Sequence, residues 1–273
     1  MTEIRGTHEA STLDQMARVA RDAAYTALMA DGHQGYYMPI GGVAAYRGRV
    51  SPHGVGVDIA CGNCAIRTDL TVEDSFKSEL PAIADEIASA IGFGMQRPTN
   101  PSADAPIDDP VLEDPRWEVV PKGIRQRLRD RARAQLGTVG GGNHYVDVFA
   151  DEAGAIWIGC HFGSRGLGYV GSSGMIALAQ GHGWTDLKPR ANWEDAVLLD
   201  LDSEIGHDYW HLMELAGAYA YAGRGWVVEK VARIIGARET YRVHNHHNYA
   251  WREEHFGEDL VVVRKGATPA FPG

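Results

Sequence analysis

The sequence predicts an α+β fold, because helix-like and strand-like hydrophobic patterns are mixed along one chain. Residues 12–30 and 81–92 carry apolar side chains at helical spacing. Residues 37–70 instead alternate short Val-, Ile- and Ala-rich pieces with Gly and Pro, which is typical of strands joined by tight turns. The length of 273 residues fits one large domain, or one domain with an insertion, and can bury a substantial core.

The predicted elements can be placed in order along the chain. Thr12 is a candidate N-cap for the first helix, residues 12–30, and a second helix covers residues 81–92. Residues 93–121 are rich in Pro, Asp and Asn and predict a loop-rich insertion. The remaining predictions are a basic amphipathic helix at 122–135, a hairpin of strands 144–149 and 155–162, a long helix at 204–235 broken near 223–225, and a final strand at 259–264.

Composition narrows the class of protein. The chain is 44% apolar and 23% charged, and it has no apolar run near the ~20 residues that span a bilayer. The N-terminus lacks a signal core, so we expect a cytoplasmic protein without membrane contact. Three cysteines argue against a disulfide framework. The net charge of −10 disfavours nucleic-acid binding, although the basic stretch 122–133 and bound divalent metals would offset it locally.

Two glycine-rich segments carry side chains of metal-ligand type. In residues 54–62 (GVGVDIACG), Asp58 and Cys61 offer a hard carboxylate and a soft thiolate, which together suit Mn²⁺, Co²⁺ or Zn²⁺. In residues 140–144 (GGGNH), three glycines before Asn143 and His144 leave room for a ligand to approach the backbone. Taken singly, the cysteine could be an ordinary core residue and the second segment a flexible hairpin turn.

Two further segments add histidines. Residues 160–168 (CHFGSRGLG) place His161 at the end of an apolar strand and Arg165 in a turn suited to clamping a phosphate. Residues 244–249 (HNHHNY) contain three histidines, of which one or two need contact a metal. Jointly the four segments supply one Asp, one Cys and three His, and this count fits a two-metal site with a bridging thiolate.

A structural zinc site is the rival hypothesis. Cys61 and Cys64 form a CxxC pair (CGNC), and two of the histidines between 244 and 247 would complete a Cys₂His₂ set. Such a site would leave Asp58, His144 and His161 without a role.

Five blocks resemble the successive signature blocks of the RtcB family of RNA ligases. They are MPIGGVAAYRGRVSPHGVGVDIACG, QLGTVGGGNH, HFGSRGLG, HHNYAWREEHFGE and VRKGATPA. The resemblance implies an RtcB-like mixed β-sheet core with flanking helices. It also implies GTP- and Mn²⁺-dependent joining of RNA 3′-phosphate or 2′,3′-cyclic phosphate ends to 5′-hydroxyl ends, as in tRNA splicing and RNA repair, through a histidine–GMP intermediate.

The resemblance also implies roles for individual residues. The implied ligands of two Mn²⁺ ions, with Cys61 bridging both, are Asp58, Cys61, His144, His161 and His247. The implied guanylate contacts are Asn143, His144, His247 and Asn248, and the predicted catalytic set is Cys61, Asn143, Arg165 and Lys265. His247 is preferred to His246 because it directly precedes Asn248, as in the family motif. Arg165 and Lys265 are candidate phosphate contacts.

Three features depart from the family pattern. The family continues beyond the VRKGATPA block to a guanylate loop and a histidine that becomes guanylylated. Because this sequence stops at Gly273, we expect one partial, C-terminally truncated catalytic domain over residues 1–273, without the GMP-accepting histidine and without autonomous ligation. Residues 222–224 read Ala-Gly-Arg where Asn-Arg is expected, and Cys64 is additional. A non-catalytic metal- and RNA-end-binding module and a two-metal hydrolase stay open as alternatives, as does the need for an Archease-like activator.

Overall fold

The computed structural model describes residues 2–72, 80–94, 99–186 and 196–270, and within these ranges the α+β prediction is confirmed. The strands are β1 (Thr2–Ile4), β2 (Tyr25–His33), β3 (Ile40–Tyr46), β4 (Arg49–Val50), β5 (Gly62–Thr71), β6 (Tyr145–Ala150), β7 (Ala155–Phe162), β8 (Leu199–Asp200), β9 (Glu239–His244), β10 (Asn248–His255) and β11 (Glu258–Lys265). The helices are α1 (Ala10–Val19), α2 (Pro52–Val55), α3 (Leu80–Ala90), α4 (Lys122–Gln135), α5 (Arg165–Ala179) and α6 (Glu204–Ile234).

Two sheets form the framework of the fold. The five-stranded sheet has the order β1–β2–β3–β11–β10, in which β1 and β2 are parallel and the other neighbours antiparallel. The four-stranded sheet has the order β6–β7–β5–β9 and is antiparallel throughout. The short strands β4 and β8 pair separately. The second sheet therefore brings together the ends of strands that lie next to the candidate ligands.

Helix α6 joins the two parts of the core. It begins after Ser203, whose Oγ accepts a hydrogen bond of 3.2 Å from the N–H of Gly206 and so caps the first turn. Its first half packs, through Leu212, into the apolar cluster under the five-stranded sheet. Its second half packs, through Val227 and Val231, into the cluster under the four-stranded sheet. Positions along α6 are thus fixed relative to both sheets.

The predicted helix over residues 12–30 is wrong in its second half. Helix α1 ends at Val19, and Tyr25–His33 is strand β2. The Ala, Leu and Met content of this stretch favours a helix, but Thr26 and Leu28 are buried alternately with more exposed neighbours and pair with β3. Tertiary pairing outweighs local propensity here, because a strand needs the period of two that these residues supply.

The predicted break of the long helix near residues 223–225 is also wrong, since α6 runs without interruption from Glu204 to Ile234. Each interior glycine costs about 1 kcal/mol of helix stability relative to alanine. The break does not occur because both glycines are buried and Arg224 between them makes hydrogen bonds to other segments of the core. Packing therefore holds the helix where the sequence pattern alone suggests a break.

Most other predicted elements are confirmed. Helices α3 and α4, the β6–β7 hairpin and strand β11 agree with prediction to within two residues. In the described part of residues 93–121 there are two 3-10 turns (Pro110–Glu113 and Pro115–Val119), residues 95–98 lie outside the described ranges, and the assignment of this segment as an insertion stays a prediction. Strands β9 and β10 and helix α5 were not predicted. Among the described helices, none has both the length and the apolar character needed to cross a membrane.

Candidate metal centre

The candidate ligands come together at one end of the four-stranded sheet, where β5 and β6 begin and β7 and β9 end. Residues 56–61 lead into β5, His144 precedes β6, His161 lies near the end of β7, and residues 245–247 connect β9 to β10. Because β7 pairs with both β5 and β6, His161 stands opposite Asn63 on one side and Tyr145 on the other. The register of the sheet thus assembles residues that are distant in sequence.

The candidate ligands form two groups that share Cys61. Asp58, Cys61 and His144 make the first group, and Cys61, His161 and His247 make the second, with all ligand atoms within 4.8 Å of one another in each. The Cys61 Sγ lies 3.3 Å from Nε2 of His161 and 3.6 Å from Nε2 of His144. The same nitrogen of His144 lies 2.9 Å from Asp58 Oδ2. All five residues that the sequence proposed as metal ligands are therefore neighbours.

The hydrogen bonds on the far side of two imidazoles point their lone pairs into this cluster. The Nδ1 of His144 lies 2.9 Å from the carbonyl oxygen of Val139, which can only accept, so the proton of a neutral ring sits on Nδ1. The Nδ1 of His161 lies 2.8 Å from Oδ1 of Asn63 in the same way. In neutral rings both Nε2 atoms then present lone pairs to the cluster. The Nε2 of His144 lies against the Asp58 carboxylate, so this contact is stabilised either by a shared proton, as in a hydrogen bond, or by a metal cation between the two groups.

The protonation states follow from burial and from the neighbouring groups. Burial, together with the neighbouring imidazoles, lowers the pKa of His161 to about 4, and burial lowers the pKa of His247 to about 4. Burial would raise the pKa of Asp58, but the hydrogen bond with His144 outweighs it and the net pKa is lowered. Burial and the adjacent Asp58 raise the pKa of Cys61 well above its ordinary value. Near neutral pH His161 and His247 are therefore neutral and ready to bind a metal, whereas the thiol of Cys61 must lose a proton.

This donor set fits two divalent cations. Neutral imidazoles, one carboxylate and one thiolate suit borderline metals such as Mn²⁺, Co²⁺ and Zn²⁺. Cys61 is the one member common to both groups, so it is the residue that would bridge two ions.

Two glycines allow this close approach. A Cβ placed on Gly163 would lie 2.3 Å from Asp58 Oδ1, so a side chain there would displace the carboxylate. A Cβ placed on Gly62 would lie 2.1 Å from the carbonyl oxygen of Asn245, so a side chain there would push away the segment that carries His247. Ala60 adopts φ 60°, a left-handed conformation that non-glycine residues rarely adopt, and this marks a constrained backbone next to Cys61.

A cavity of about 320 Å³ opens beside the cluster. Its wall includes Asp58, Cys61 and His247, and the other predicted site residues that line it are Asn143, Asn248 and Lys265. Lys265 is 4% exposed, its Nζ donates to the carbonyl oxygen of Tyr36, and burial lowers its pKa to about 7. Asn248 accepts a hydrogen bond of 2.8 Å from the N–H of Gly266.

Arg165 lies on another side of the cluster, and it is not among the residues lining the cavity. Its Nε donates to Thr138 Oγ1 at 3.3 Å, and its guanidinium fills the space that a side chain on Gly140 would need. Its charge favours the ionised form of Asp58. A direct phosphate contact by Arg165 stays a prediction.

The residues of the rival zinc site are engaged elsewhere. Cys64 is fully buried in the apolar cluster under the four-stranded sheet and, among the described residues, belongs to neither ligand group. His244 and His246 each accept a hydrogen bond from Arg224, at 3.1 and 3.0 Å. The structure therefore offers no support for a Cys₂His₂ arrangement.

Three contacts at the site were not found by sequence reasoning. Asn63 orients His161, Tyr145 stacks on the His161 ring at 5.5 Å between centroids, and Arg224 reaches the site from α6. For Asn63, the sequence signal that could have indicated this contact was its position, two residues after Cys61 at the start of a strand. Arg224 stood out only as a departure from a motif.

Comparison with known proteins identifies relatives along the whole chain. The family model described as "tRNA-splicing ligase RtcB" matches residues 12–126 and 109–273. The RNA-splicing ligase RtcB of Escherichia coli (strain K12) is 32% identical over 268 residues, which cover 91% of this chain and 65% of that protein. The tRNA-splicing ligases RtcB of Thermococcus kodakarensis and Archaeoglobus fulgidus are each 31% identical, over 96% and 97% of this chain. The chain spans 65 to 66% of the length of these three relatives.

Proposed function

The chain belongs to the RtcB family of tRNA-splicing ligases, and we therefore propose that it holds the two-metal centre of an RNA-joining reaction. The proposed reaction uses GTP and Mn²⁺ to join an RNA 3′-phosphate or 2′,3′-cyclic phosphate end to a 5′-hydroxyl end. The proposed metal ligands are Asp58, Cys61, His144, His161 and His247.

One observation carries this proposal: Cys61 is shared by two ligand groups into which histidine lone pairs point. Cys61 would be a ligand of both cations, and two-metal phosphoryl-transfer sites need two cations close together. When bound, the two ions would polarise a phosphoryl group and neutralise charge that develops on its oxygens.

Side chains of the cavity supply the binding chemistry for an anion. Lys265 is the buried cation of the wall, and with a pKa of about 7 it is half protonated near neutral pH. A phosphate in the cavity would draw a proton onto Nζ, because an adjacent anion favours the charged amine. Asn143 is exposed at the cavity and can donate from its amide to a phosphate or guanylate oxygen. These groups position an RNA end or nucleotide beside Asp58 and Cys61.

The test has two stages. The first counts Mn²⁺ ions bound to the purified chain and to two variants, Cys61→Ala and Cys64→Ala. We expect two ions for the chain and for Cys64→Ala, and loss of the pair for Cys61→Ala. The reason is that Cys61 belongs to both ligand groups, whereas Cys64 belongs to neither. Absence of Mn²⁺ binding in the unaltered chain, or equal loss in both variants, would contradict the metal centre.

The second stage adds radiolabelled GTP and then RNA with 3′-phosphate and 5′-hydroxyl ends. Guanylate attached to the protein in a denaturing gel, followed by a joined RNA, supports the full ligase reaction. Two bound Mn²⁺ ions without protein-bound guanylate would restrict the chain to binding metals and RNA ends.

A further inference from the structure

Arg224 is a fully buried cation in the middle of α6. Its hydrogen bonds all run to uncharged acceptors, and among the described residues no ion pair includes it. The ring of Tyr221 lies 5.4 Å from its Cζ atom and adds a cation–π contact. Burying a charge without an ionic partner costs free energy, and an apolar side chain of similar size often serves a core equally well. The fold alone therefore does not explain an arginine here.

The acceptors of Arg224 have one property in common: each lies within three residues of a candidate metal ligand. Nη1 donates to the carbonyl oxygens of Ala60 at 2.8 Å and Phe162 at 2.7 Å. These residues are the direct chain neighbours of Cys61 and His161.

The other guanidinium nitrogens hold the third segment. Nη2 donates to the carbonyl oxygen of Asn245 at 3.3 Å and to Nδ1 of His246 at 3.0 Å, and Nε donates to Nε2 of His244 at 3.1 Å. His246 directly precedes His247. One guanidinium thus binds the three segments that carry Cys61, His161 and His247, which form one of the two ligand groups.

The second group depends much less on this arginine. His144 is oriented by the carbonyl oxygen of Val139, and Asp58 contacts His144 directly. Cys61 is the ligand that this group shares with the group whose segments Arg224 holds, and Asp58 lies two residues before Ala60 on one of those segments.

From this arrangement we infer that Arg224 is a positioning residue for the metal group of Cys61, His161 and His247. It acts through the geometry of its hydrogen bonds, because a planar guanidinium offers five N–H donors in a fixed fork. Its positive charge acts in the opposite direction, since it repels a cation nearby. Alignment and charge therefore predict opposite effects of substitution. The inference rests on the proposed two-metal centre.

The test is a Mn²⁺ titration of the full chain, with Co²⁺ as a spectroscopic probe of the thiolate–metal bond. The variants are Arg224→Met, which removes charge and donors, and Arg224→Lys, which keeps the charge and loses the fork. Val231→Ala is the control. It removes apolar packing at a fully buried position of the same helix, two turns after Arg224, and so leaves a small cavity in the core.

We expect both arginine variants to bind one of the two ions about 10- to 100-fold more weakly, as is usual when the groups that orient metal ligands are removed. The other ion should bind nearly as before, and the thiolate-to-Co²⁺ absorption band should change. Val231→Ala should lower the melting temperature and leave both ions and the band unchanged. Wild-type binding by Arg224→Lys would show that the fork of donors is not required and would overturn the inference, as would undiminished binding by Arg224→Met.

A second pair of variants covers the case in which the arginine variants do not fold. His244→Gln keeps an acceptor for Nε of Arg224, whereas His244→Leu removes it. We expect weaker binding of one ion in the leucine variant only, and equal behaviour of the two would overturn the inference. Failure of the unaltered chain to bind two ions would instead contradict the metal centre itself, so the two failures are distinguishable.

Discussion

Binding of the first Mn²⁺ ion should become about tenfold tighter for each pH unit between roughly pH 6 and 8. The reason is the buried thiol of Cys61, whose pKa is raised well above its ordinary value, so the metal must displace its proton. His161 and His247, with pKa values of about 4, are already neutral in this range and add no dependence. One proton per thiol gives a slope of one in a plot of log affinity against pH.

The shared position of Cys61 makes the prediction more specific. Because both ligand groups use the same sulfur, filling both sites should release about one proton in total. The affinity of the second ion should therefore change little with pH. Calorimetric titration in two buffers of different ionisation enthalpy measures the released protons directly. Cys64→Ala is the control and should retain the slope, since Cys64 belongs to neither group.

Two protons released per pair of ions would refute a single shared thiolate. A slope near zero would refute the inference that Cys61 is a thiol before the metal binds.

Three further substitutions test the site. Gly163→Ala should weaken Mn²⁺ binding with the fold retained, because the new Cβ would lie 2.3 Å from Asp58 Oδ1. The control is Gly123→Ala, where the new Cβ meets open space on α4, and it should leave binding intact and stabilise the helix by up to about 1 kcal/mol. In the unaltered chain, the affinity for phosphate should fall as the pH rises through about 7, because the buried amine of Lys265 loses its proton there. Lys265→Met should weaken phosphate binding and abolish this pH dependence, and isothermal titration over that range measures both effects. Asn63→Ala should cost about tenfold in Mn²⁺ affinity, because it removes the acceptor that orients one ligand ring, and unchanged affinity would count against that role.

The sequence located the candidate ligands well because their signals are local. Asp58 and Cys61 lie in one glycine-rich segment and His161 lies at a strand end, and both patterns are legible without the fold. The structure brings these residues together, while their role in metal binding stays a prediction.

The errors arose where contacts distant in sequence decide the outcome. Strand β2 looked helical because its Ala and Leu content hides the alternation that pairing with β3 uses. Strand β10 was missed because its outward side chains are charged and polar, which resembles a loop. The contacts of Arg224 run to backbone carbonyl groups of Ala60 and Phe162, which carry no sequence signal.

Because the ligands depend on how β5, β6 and β7 pair, metal binding at this site reports whether these strands have the correct register. His161 faces the cluster because it stands opposite Asn63 and Tyr145, and neighbouring residues of a strand point to opposite faces. A slip of β7 by one residue would turn the imidazole into the apolar core and present Cys160 or Phe162 in its place. Such a misregistered chain would lose one metal group, so in a refolding mixture the fraction that binds two ions would count the chains whose strands have found their correct partners.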